Sequence, residues 1–146
     1  MENLENLRNL SSLCLNSNEI SDIVGLVTLT KLYELELVGN KIEEITGLEP
    51  LRRLYTLVFW SNQIQEIKGL DRLENFTELD LTGNLITEIK GLDTFLNLYD
   101  LDLLRKKIRE FKRLNNPNLE ELWIRDNPLP KEAKKKIYEK YYKDIY

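Results

Sequence analysis

The chain has 146 residues, with 21 lysines and arginines against 25 aspartates and glutamates, and therefore a formal net charge of −4. That length fits a single domain, and the negative charge argues against general binding to the phosphate backbone of nucleic acids. The chain contains no histidine and one cysteine, Cys14, which excludes an intrachain disulfide, a zinc cluster and most catalytic triads. We expect no enzymatic activity, no metal and no cofactor.

The amino-terminal segment is acidic and interrupted by polar residues over positions 1–7. It lacks the basic start and apolar run of a secretory signal, and no stretch approaches the roughly 20 apolar residues that cross a bilayer. We therefore expect an intracellular protein, cytoplasmic or nuclear, that is monomeric and binds no membrane.

The first leucines belong to an incomplete structural unit. Leu4, Leu7 and Leu10 reproduce the spacing of three leucines that stand 22 residues further on. The chain thus opens midway through a coil whose strand is missing, and these leucines should be exposed. Because the terminal coils of solenoids usually need a polar cap, either this start is native and lightly covered or the sequence is a fragment of a longer repeat protein.

A 22-residue repeat accounts for most of the chain. The pattern is L-x-x-L-x-L-x-x-N-x-I-x-x-I-x-x-L-x-x-L, and it begins at residues 10, 32, 54, 76 and 98, with a shorter unit from residue 119. Periods of this length are typical of solenoids, in which each coil buries its apolar side chains only by stacking on its neighbours. Residues 1–130 are therefore expected to form one repeat domain.

Two halves of the repeat predict two kinds of local structure. The L-x-L segment alternates inward and outward side chains and predicts a short strand, whereas the threefold spacing of the I-x-x-I-x-x-L-x-x-L half suits short 3₁₀ or irregular helical turns. The expected fold is an α/β solenoid with a concave parallel sheet, convex 3₁₀ or irregular helical turns and a carboxyl-terminal capping helix.

Glycine and asparagine recur in the same frame. Glycines form two columns that indicate a turn with positive φ repeated in each coil, and an asparagine column predicts buried carboxamides that satisfy turn backbone groups by donating and accepting. The residues are Gly25, Gly47, Gly69 and Gly91; Gly39 and Gly83; and Asn18, Asn40, Asn62 and Asn84.

The repeat is irregular near residues 105–118. Lys106 stands in the asparagine position and cannot accept a hydrogen bond, and Pro117 stands where earlier coils have leucine or phenylalanine. The spacing from Leu98 to Leu119 is also one residue short. We expect local distortion here, which either drift at the end of an array or a binding feature would explain.

The last segment predicts a helix over residues 131–146. Pro128 and Pro130 end the repeat, and Pro130 suits the first turn of a helix. Apolar residues then recur every three to four positions, as in an amphipathic cap, and six lysines occupy the rest of the segment, which favours a solvated face over membrane or nucleic-acid contact. The apolar positions are Ala133, Ile137, Tyr138, Tyr141, Tyr142 and Ile145.

The outward positions of the strands gather acidic and aromatic side chains. Seven of the twelve residues directly before and between the strand leucines are carboxylates. Both tryptophans lie on the same face, Trp123 between the leucines and Trp60 in the column that follows. Acidic side chains on parallel strands about 4.8 Å apart repel one another, so a partner carrying lysine or arginine would relieve them while aromatic residues serve as anchors. The candidate partner-binding residues are Glu34, Glu36, Trp60, Glu78, Asp80, Asp100, Asp102, Leu104, Glu121, Trp123 and Arg125.

Over about residues 4–130 the chain resembles the intracellular 22-residue leucine-rich repeats, a family typified by the nuclear regulatory subunit of protein phosphatase 1. The segment from Leu119 to Leu129 is similar to the last repeat before the cap in that branch. The resemblance implies a protein partner on the concave face near Glu78, Asp102 and Trp123, with a phosphatase catalytic subunit as one candidate.

The main prediction is a protein-interaction scaffold that binds a basic protein or peptide. An internalin-like extracellular adhesion module is the alternative. A solvated acidic sheet without a partner, a divalent-cation site and an acid–base enzyme are further interpretations, although open strands offer no closed oxygen cage and no nucleophile motif is present. No role is expected for Cys14, because no basic neighbour lowers its thiol pKa.

Overall fold

The computed structural model describes residues 3–105, 107–111 and 114–142, in which six short strands precede one helix. Each strand contains the first leucine of one L-x-L segment and the residue on either side of it, and this leucine faces the core while its neighbours face solvent. The elements are β1 (Ser12–Cys14), β2 (Glu34–Glu36), β3 (Thr56–Val58), β4 (Glu78–Asp80), β5 (Asp100–Asp102), β6 (Glu121–Trp123) and α1 (Lys131–Tyr141).

The strands form a single parallel sheet in sequence order. Glu78 of β4 pairs with Asp100 of β5, and Asp100 pairs in turn with Glu121 of β6. The register is therefore one repeat length per strand, including the shorter last step. The predicted parallel-sheet solenoid with a carboxyl-terminal helix is confirmed.

The core is a continuous column of leucine, isoleucine and phenylalanine that runs through every coil. In the second coil Leu35, Leu37, Ile42 and Ile45 are fully buried, because the adjacent coils cover both of its sides. Phe76 and Phe95, at the two ends of the repeat unit that begins at residue 76, pack edge to face with their ring centroids 5.7 Å apart.

The side opposite the sheet consists of successive turns. Leu29 N–H donates to Leu26 O at 2.9 Å, and Leu32 N–H donates to Leu29 O at 3.0 Å. Equivalent bonds, each spanning three residues, recur in later coils, which is the hydrogen-bond pattern of 3₁₀ geometry. Within the described residues these bonds close single turns and no helix precedes α1, so the expected short 3₁₀ or irregular helical turns are present only as isolated turns.

The asparagine column forms a ladder that ties neighbouring coils together. Asn62 Oδ1 accepts from Ile42 N–H of the preceding coil at 3.0 Å, while its Nδ2 donates to Leu37 O at 2.8 Å and to Phe59 O at 3.0 Å. Asn40, Asn84 and Asn127 repeat this arrangement. The carboxamide supplies partners for turn backbone groups that have none in the sheet, as predicted for Asn40, Asn62 and Asn84. Asn18 was predicted to be buried as well, but it is exposed in the first coil and donates to Leu15 O and Asn16 O.

The glycines of the longer column are required for two reasons. Gly91 has φ of 77°, and a Cβ atom there would lie 2.7 Å from Ile67 O. The column of Gly39 and Gly83 also has positive φ, but Ser17 and Ser61 take the same conformation at that point of their coils. In the column of Gly91 a side chain is therefore excluded by lack of space as well as by the positive φ. In the column of Gly39 and Gly83 only the positive φ disfavours other residues.

The structure places the shortened unit differently from the sequence prediction. Asn116, not Pro117, occupies the buried position held by Phe95 in the coil before, and Pro117 is exposed. The missing residue lies between Leu114 and Asn116, since Asn116 stands three residues before Leu119 as Phe95 does before Leu98. Asn116 Nδ2 donates to Leu92 O at 2.7 Å and to Phe95 O at 3.0 Å.

Distortion in this region is visible between the last two coils. Arg105 N–H lies 3.4 Å from Arg125 O, whereas the same bond in the first coil, from Ser17 N–H to Val38 O, is 2.7 Å. Lys106, on which the predicted break of the asparagine ladder rests, lies outside the described residues. Asn127 nevertheless continues the ladder by donating to Leu103 O at 2.8 Å.

The two ends of the solenoid are covered to different degrees. Leu7 is 46% exposed and Leu4 and Leu10 are half-buried, in line with the expected incomplete first coil. At the other end α1 buries Ile137, and the Tyr142 hydroxyl donates to Leu122 O. Residues 143–146 of the predicted helix lie outside the described part of the chain.

Candidate functional site

The solvent-facing side of the six strands, called the sheet face below, carries the candidate residues. In β4 and β5 the central leucine is buried and the two flanking side chains face outward. The residue that follows the second leucine of each L-x-L segment continues this outward-facing row. This alternation brings Glu78, Asp80, Asp100 and Asp102 together from two adjacent strands.

A shallow depression of about 170 Å³ marks the acidic centre of the sheet face. Its polar lining is four carboxylates, and one wall is the indole of Trp123. The depression thus joins side chains from four coils into one surface. The outward-facing lining residues are Thr56, Val58, Glu78, Asp80, Asp100, Asp102 and Trp123.

Asp100 is the most perturbed carboxylate of this group. Burial raises the pKa of Asp100 from 3.8 to about 6, with further upward contributions from the charges of Glu121, Asp102, Glu78 and Asp80. Its Oδ1 atom is buried and receives no hydrogen bond within the described chain. A cation placed here would restore the pKa of Asp100 towards its ordinary value.

Neighbouring hydroxyl and backbone groups hold the other carboxylates in place. Asp102 Oδ1 accepts from the Thr82 hydroxyl at 2.6 Å and from Leu104 N–H at 3.0 Å, and Asp80 Oδ1 accepts from Thr82 N–H at 2.7 Å. Glu78 accepts from the Thr56 hydroxyl at 3.0 Å. These bonds fix the carboxylates before any partner arrives.

Glu34 and Glu36 are separate from the depression. Glu34 accepts from the Ser12 hydroxyl at 2.7 Å, and Glu36 accepts from Asn16 Nδ2 at 2.6 Å with Cys14 Sγ at 3.5 Å. The predicted acidic surface therefore divides into an amino-terminal pair bonded to the first coil and a carboxyl-terminal cluster around Asp100.

The predicted apolar anchors differ in exposure. Trp60 is 48% exposed, whereas Trp123 and Leu104 are half-buried. The Arg125 guanidinium lies over the Trp123 indole at 5.7 Å from the ring centroid, a cation–π geometry. Trp60 is thus the more exposed of the two tryptophans, and Trp123 is held between Arg125 and the depression.

A tyrosine column was missed by the sequence analysis. Tyr33, Tyr55 and Tyr99 directly precede β2, β3 and β5 at multiples of 22 residues and are 47%, 48% and 40% exposed. Chiefly through the charge of Glu120, the pKa of Tyr99 is raised above its ordinary value. Their repeat spacing was the available signal, and they extend the sheet face with an aromatic edge.

Ion pairs of the described chain lie away from this cluster. Lysines on the turn side pair with acids of the previous coil, as in Lys41–Glu19 at 3.3 Å and Lys68–Glu44 at 3.3 Å. Within the described ranges, no lysine or arginine nitrogen lies within 4.0 Å of the carboxylates of Asp100, Asp102 or Glu121. Within these ranges no ion pair therefore neutralises Asp100, Asp102 or Glu121.

The described residues contain neither a metal-ligand cluster nor a membrane-spanning helix. No group of three or more potential ligands is arranged to hold a metal ion there. The helix of the described residues, α1, is not long and apolar enough to cross a bilayer.

The comparisons with known proteins concern the repeat. Residues 2–50 match a family model described as leucine rich repeats in two copies. The structure is similar to an internalin, inlF, from Listeria monocytogenes, with 32% identity, a TM-score of 0.81 and coverage of 89% of this chain and 38% of that one. A comparison with curated protein sequences finds no match.

Two further structures support the same repeat class. Internalin C2 from Listeria monocytogenes has 31% identity and a TM-score of 0.70, covering 87% of this chain and 66% of its own. A leucine-rich-repeat protein from Leptospira interrogans has 25% identity and a TM-score of 0.74, covering 86% and 40%. This chain therefore spans only part of each of these three proteins.

These relatives differ from the branch that the sequence resembles, since two of the three are internalins and none is named as a phosphatase subunit. What they share with this chain is the coil, its strand and its stacking. The matched residues, the register of the six strands and the structural likeness show that the chain has the leucine-rich-repeat fold.

Proposed function

We propose that this protein is a non-enzymatic interaction module whose sheet face binds a basic protein or peptide. Repeat solenoids present extended surfaces of this kind for binding. The residues that would contact the partner are those predicted from the sequence, namely Glu34, Glu36, Trp60, Glu78, Asp80, Asp100, Asp102, Leu104, Glu121, Trp123 and Arg125, together with Tyr33, Tyr55 and Tyr99.

The uncompensated charge around Asp100 carries the proposal. Glu78, Asp100 and Glu121 stand in register on adjacent strands, and repulsion among them contributes to the raised pKa of Asp100. Lysine or arginine side chains of a partner would remove this repulsion, whereas an apolar partner would bury it at a cost. The chemistry of the face therefore favours a cationic partner.

Aromatic side chains beside the cluster would add affinity. Trp60, Tyr33 and Tyr55 are exposed on the second and third coils, and tryptophan and tyrosine are the residues that most often dominate interface energies. The charged centre would then steer and orient the partner while the aromatic edge supplies buried area.

Titration with a defined basic peptide tests this proposal. The ligand is a fluorescein-labelled peptide carrying lysines and arginines, and binding is followed by anisotropy. We expect binding to the wild type and a loss of at least tenfold in affinity for the variant Glu78→Lys, Glu121→Lys, Trp123→Ala. Both glutamates are exposed, so the charge reversals leave the core intact.

A charge-matched control separates the sheet face from net charge. The control variant Glu43→Lys, Asp71→Lys, Leu96→Ala changes exposed residues outside the strands and makes the same change in charge. It should bind the peptide within about twofold of its wild-type affinity, since distant exposed charges are screened. Equal losses for both variants would contradict the proposal.

An internalin-like extracellular adhesion module is the second candidate. It is supported by the likeness to the two Listeria monocytogenes internalins at 32% and 31% identity. The same sheet face would then bind a partner outside the cell. The sequence analysis instead expected a partner in the cytoplasm or nucleus. Sequencing the complete gene for a leader and a surface anchor discriminates between the two locations.

A phosphatase-regulatory role remains a narrower form of the first proposal. It rests on the resemblance of the repeat, and the structures compared above give it no support. Direct binding of a purified phosphatase 1 catalytic subunit to the wild type, lost in the sheet-face variant and kept in the control variant, would be required to sustain it.

A further inference from the structure

The depression on the sheet face has a composition that distinguishes between the two cationic side chains. Glu78, Asp80, Asp100 and Asp102 line it together with the Trp123 indole, and its volume is about 170 Å³. That space suits the end of one side chain and not a folded element. We propose, building on the function proposed above, that this depression selects an arginine of the partner over a lysine.

The first reason is the number of acceptors that still lack donors. Asp100 receives no hydrogen bond at its buried Oδ1, and Glu78 receives one from the Thr56 hydroxyl. Guanidinium offers five N–H donors in a fixed plane, whereas ammonium offers three around one point. Arginine therefore satisfies more of these oxygens from a single position.

Strand spacing gives the second reason. Asp80 and Asp102 are paired in register on adjacent strands, which lie about 4.8 Å apart. Their carboxylates are anchored by Thr82 and by Leu104 N–H, so their separation is set before binding. A guanidinium fork can bridge two such carboxylates with N–H donors held in one plane, whereas an ammonium group directs all three of its donors from a single nitrogen.

The third reason is the indole wall. Trp123 lines the depression, and its ring already carries the Arg125 guanidinium at 5.7 Å from the centroid. Guanidinium is planar and weakly hydrated, so it stacks on an aromatic ring at a smaller desolvation cost than ammonium. The wall thus favours arginine at the same place where the carboxylates do.

The test compares two labelled peptides of equal charge, one with three arginines separated by Gly-Ser and its exact lysine counterpart. Anisotropy titrations at pH 7.5 should give about fivefold tighter binding of the arginine peptide to the wild type. Asp100→Asn and Trp123→Leu should each reduce this preference to about twofold or less. Circular dichroism and thermal unfolding establish that both variants are folded.

Glu43→Gln is the matched control, because it also removes one carboxylate charge but lies at an exposed position outside the strands and the depression. It should keep the arginine preference. If Trp123→Leu fails to fold, Glu78→Gln replaces it, since Glu78 is exposed on the rim of the depression.

The outcomes separate this inference from the function on which it rests. Equal affinity for the two peptides, with both weakened by charge reversal of the sheet face, would overturn arginine selection and leave the basic-partner proposal standing. An arginine preference that survives both Asp100→Asn and Trp123→Leu would also overturn it. Peptide binding that charge reversal does not weaken would overturn both.

Discussion

Asp100 of β5 lies in register between Glu78 of β4 and Glu121 of β6, so three carboxylates stand side by side across the sheet. Burial and these neighbours raise the pKa of Asp100 to about 6. An arrangement of like charges that costs stability in the isolated chain is consistent with a surface shaped for a cationic partner.

Asp100 should make the stability of the protein depend on pH in an unusual direction. Its folded pKa is above the ordinary value, so the folded chain binds a proton before the unfolded chain does, and stability rises as the pH falls from about 7 to about 4. Urea unfolding should show Asp100→Asn to be more stable than the wild type at pH 7.5 by about 1 kcal/mol, a figure reduced for solvent screening.

That stability difference should shrink at pH 5, where Asp100 is largely protonated in the folded wild type. Glu34→Gln serves as a control, because Glu34 accepts a hydrogen bond from Ser12 and should show no such gain. A difference between Asp100→Asn and the wild type that is constant from pH 7.5 to pH 5 would rule out this explanation.

The asparagine ladder should contribute strongly to stability. Asn62→Ala removes the partners of Ile42 N–H, Leu37 O and Phe59 O in a buried site, and we expect a loss of about 3 kcal/mol in the free energy of unfolding. Asn18→Ala is the matched control in the first coil, where the side chain is exposed and donates to two carbonyls. Its loss should stay below about 1 kcal/mol; similar losses at both positions would contradict the ladder's role.

Alanine should be tolerated differently in the two glycine columns. Both Gly91 and Gly39 have positive φ, but a Cβ at Gly91 would lie 2.7 Å from Ile67 O, whereas the nearest atom at Gly39 is 3.8 Å away. We expect Gly91→Ala to cost about 3 kcal/mol and Gly39→Ala about 1 kcal/mol. Chemical denaturation of the two variants measures this, and equal costs would show that conformation alone decides.

The helix should stabilise the last coil through one hydroxyl. Tyr142 donates to Leu122 O, the inward leucine of β6. Replacement by phenylalanine keeps the ring and removes that bond, so thermal unfolding should show a loss of about 1 kcal/mol. Tyr33→Phe is the control at an exposed ring and should change stability by less than about 0.5 kcal/mol.

Much of the fold was predictable because one period determines both burial and register. Leucines that recur every 22 residues specified which strands pair, and the asparagine column specified the turn ladder. The position of the missing residue was not predictable, because a deletion anywhere between residues 105 and 119 gives the same spacing. Only packing decides that Asn116, and not Pro117, takes the buried position.

The sequence predicted which residues share the sheet face, but it did not predict the burial and hydrogen bonding of each side chain. Register placed Glu78, Asp100 and Trp123 together, as the structure does. Glu36 accepts a hydrogen bond from Asn16, whereas Asp100 Oδ1 has no donor. This difference in hydrogen bonding depends on side-chain rotamers and on neighbours outside the strand. The tyrosine column was not predicted because these residues stand one position before the strands, outside the columns taken from the L-x-L pattern.

The most direct test of the sheet face as a binding surface is an NMR titration of the ¹⁵N-labelled chain with the arginine peptide. We predict that the Trp123 indole N–H and the amides of β4, β5 and β6 shift with increasing peptide, while the amides around Val24 and Leu96 on the turn side do not. Shifts concentrated on the turn side or on α1, with β4 to β6 unchanged, would contradict the account.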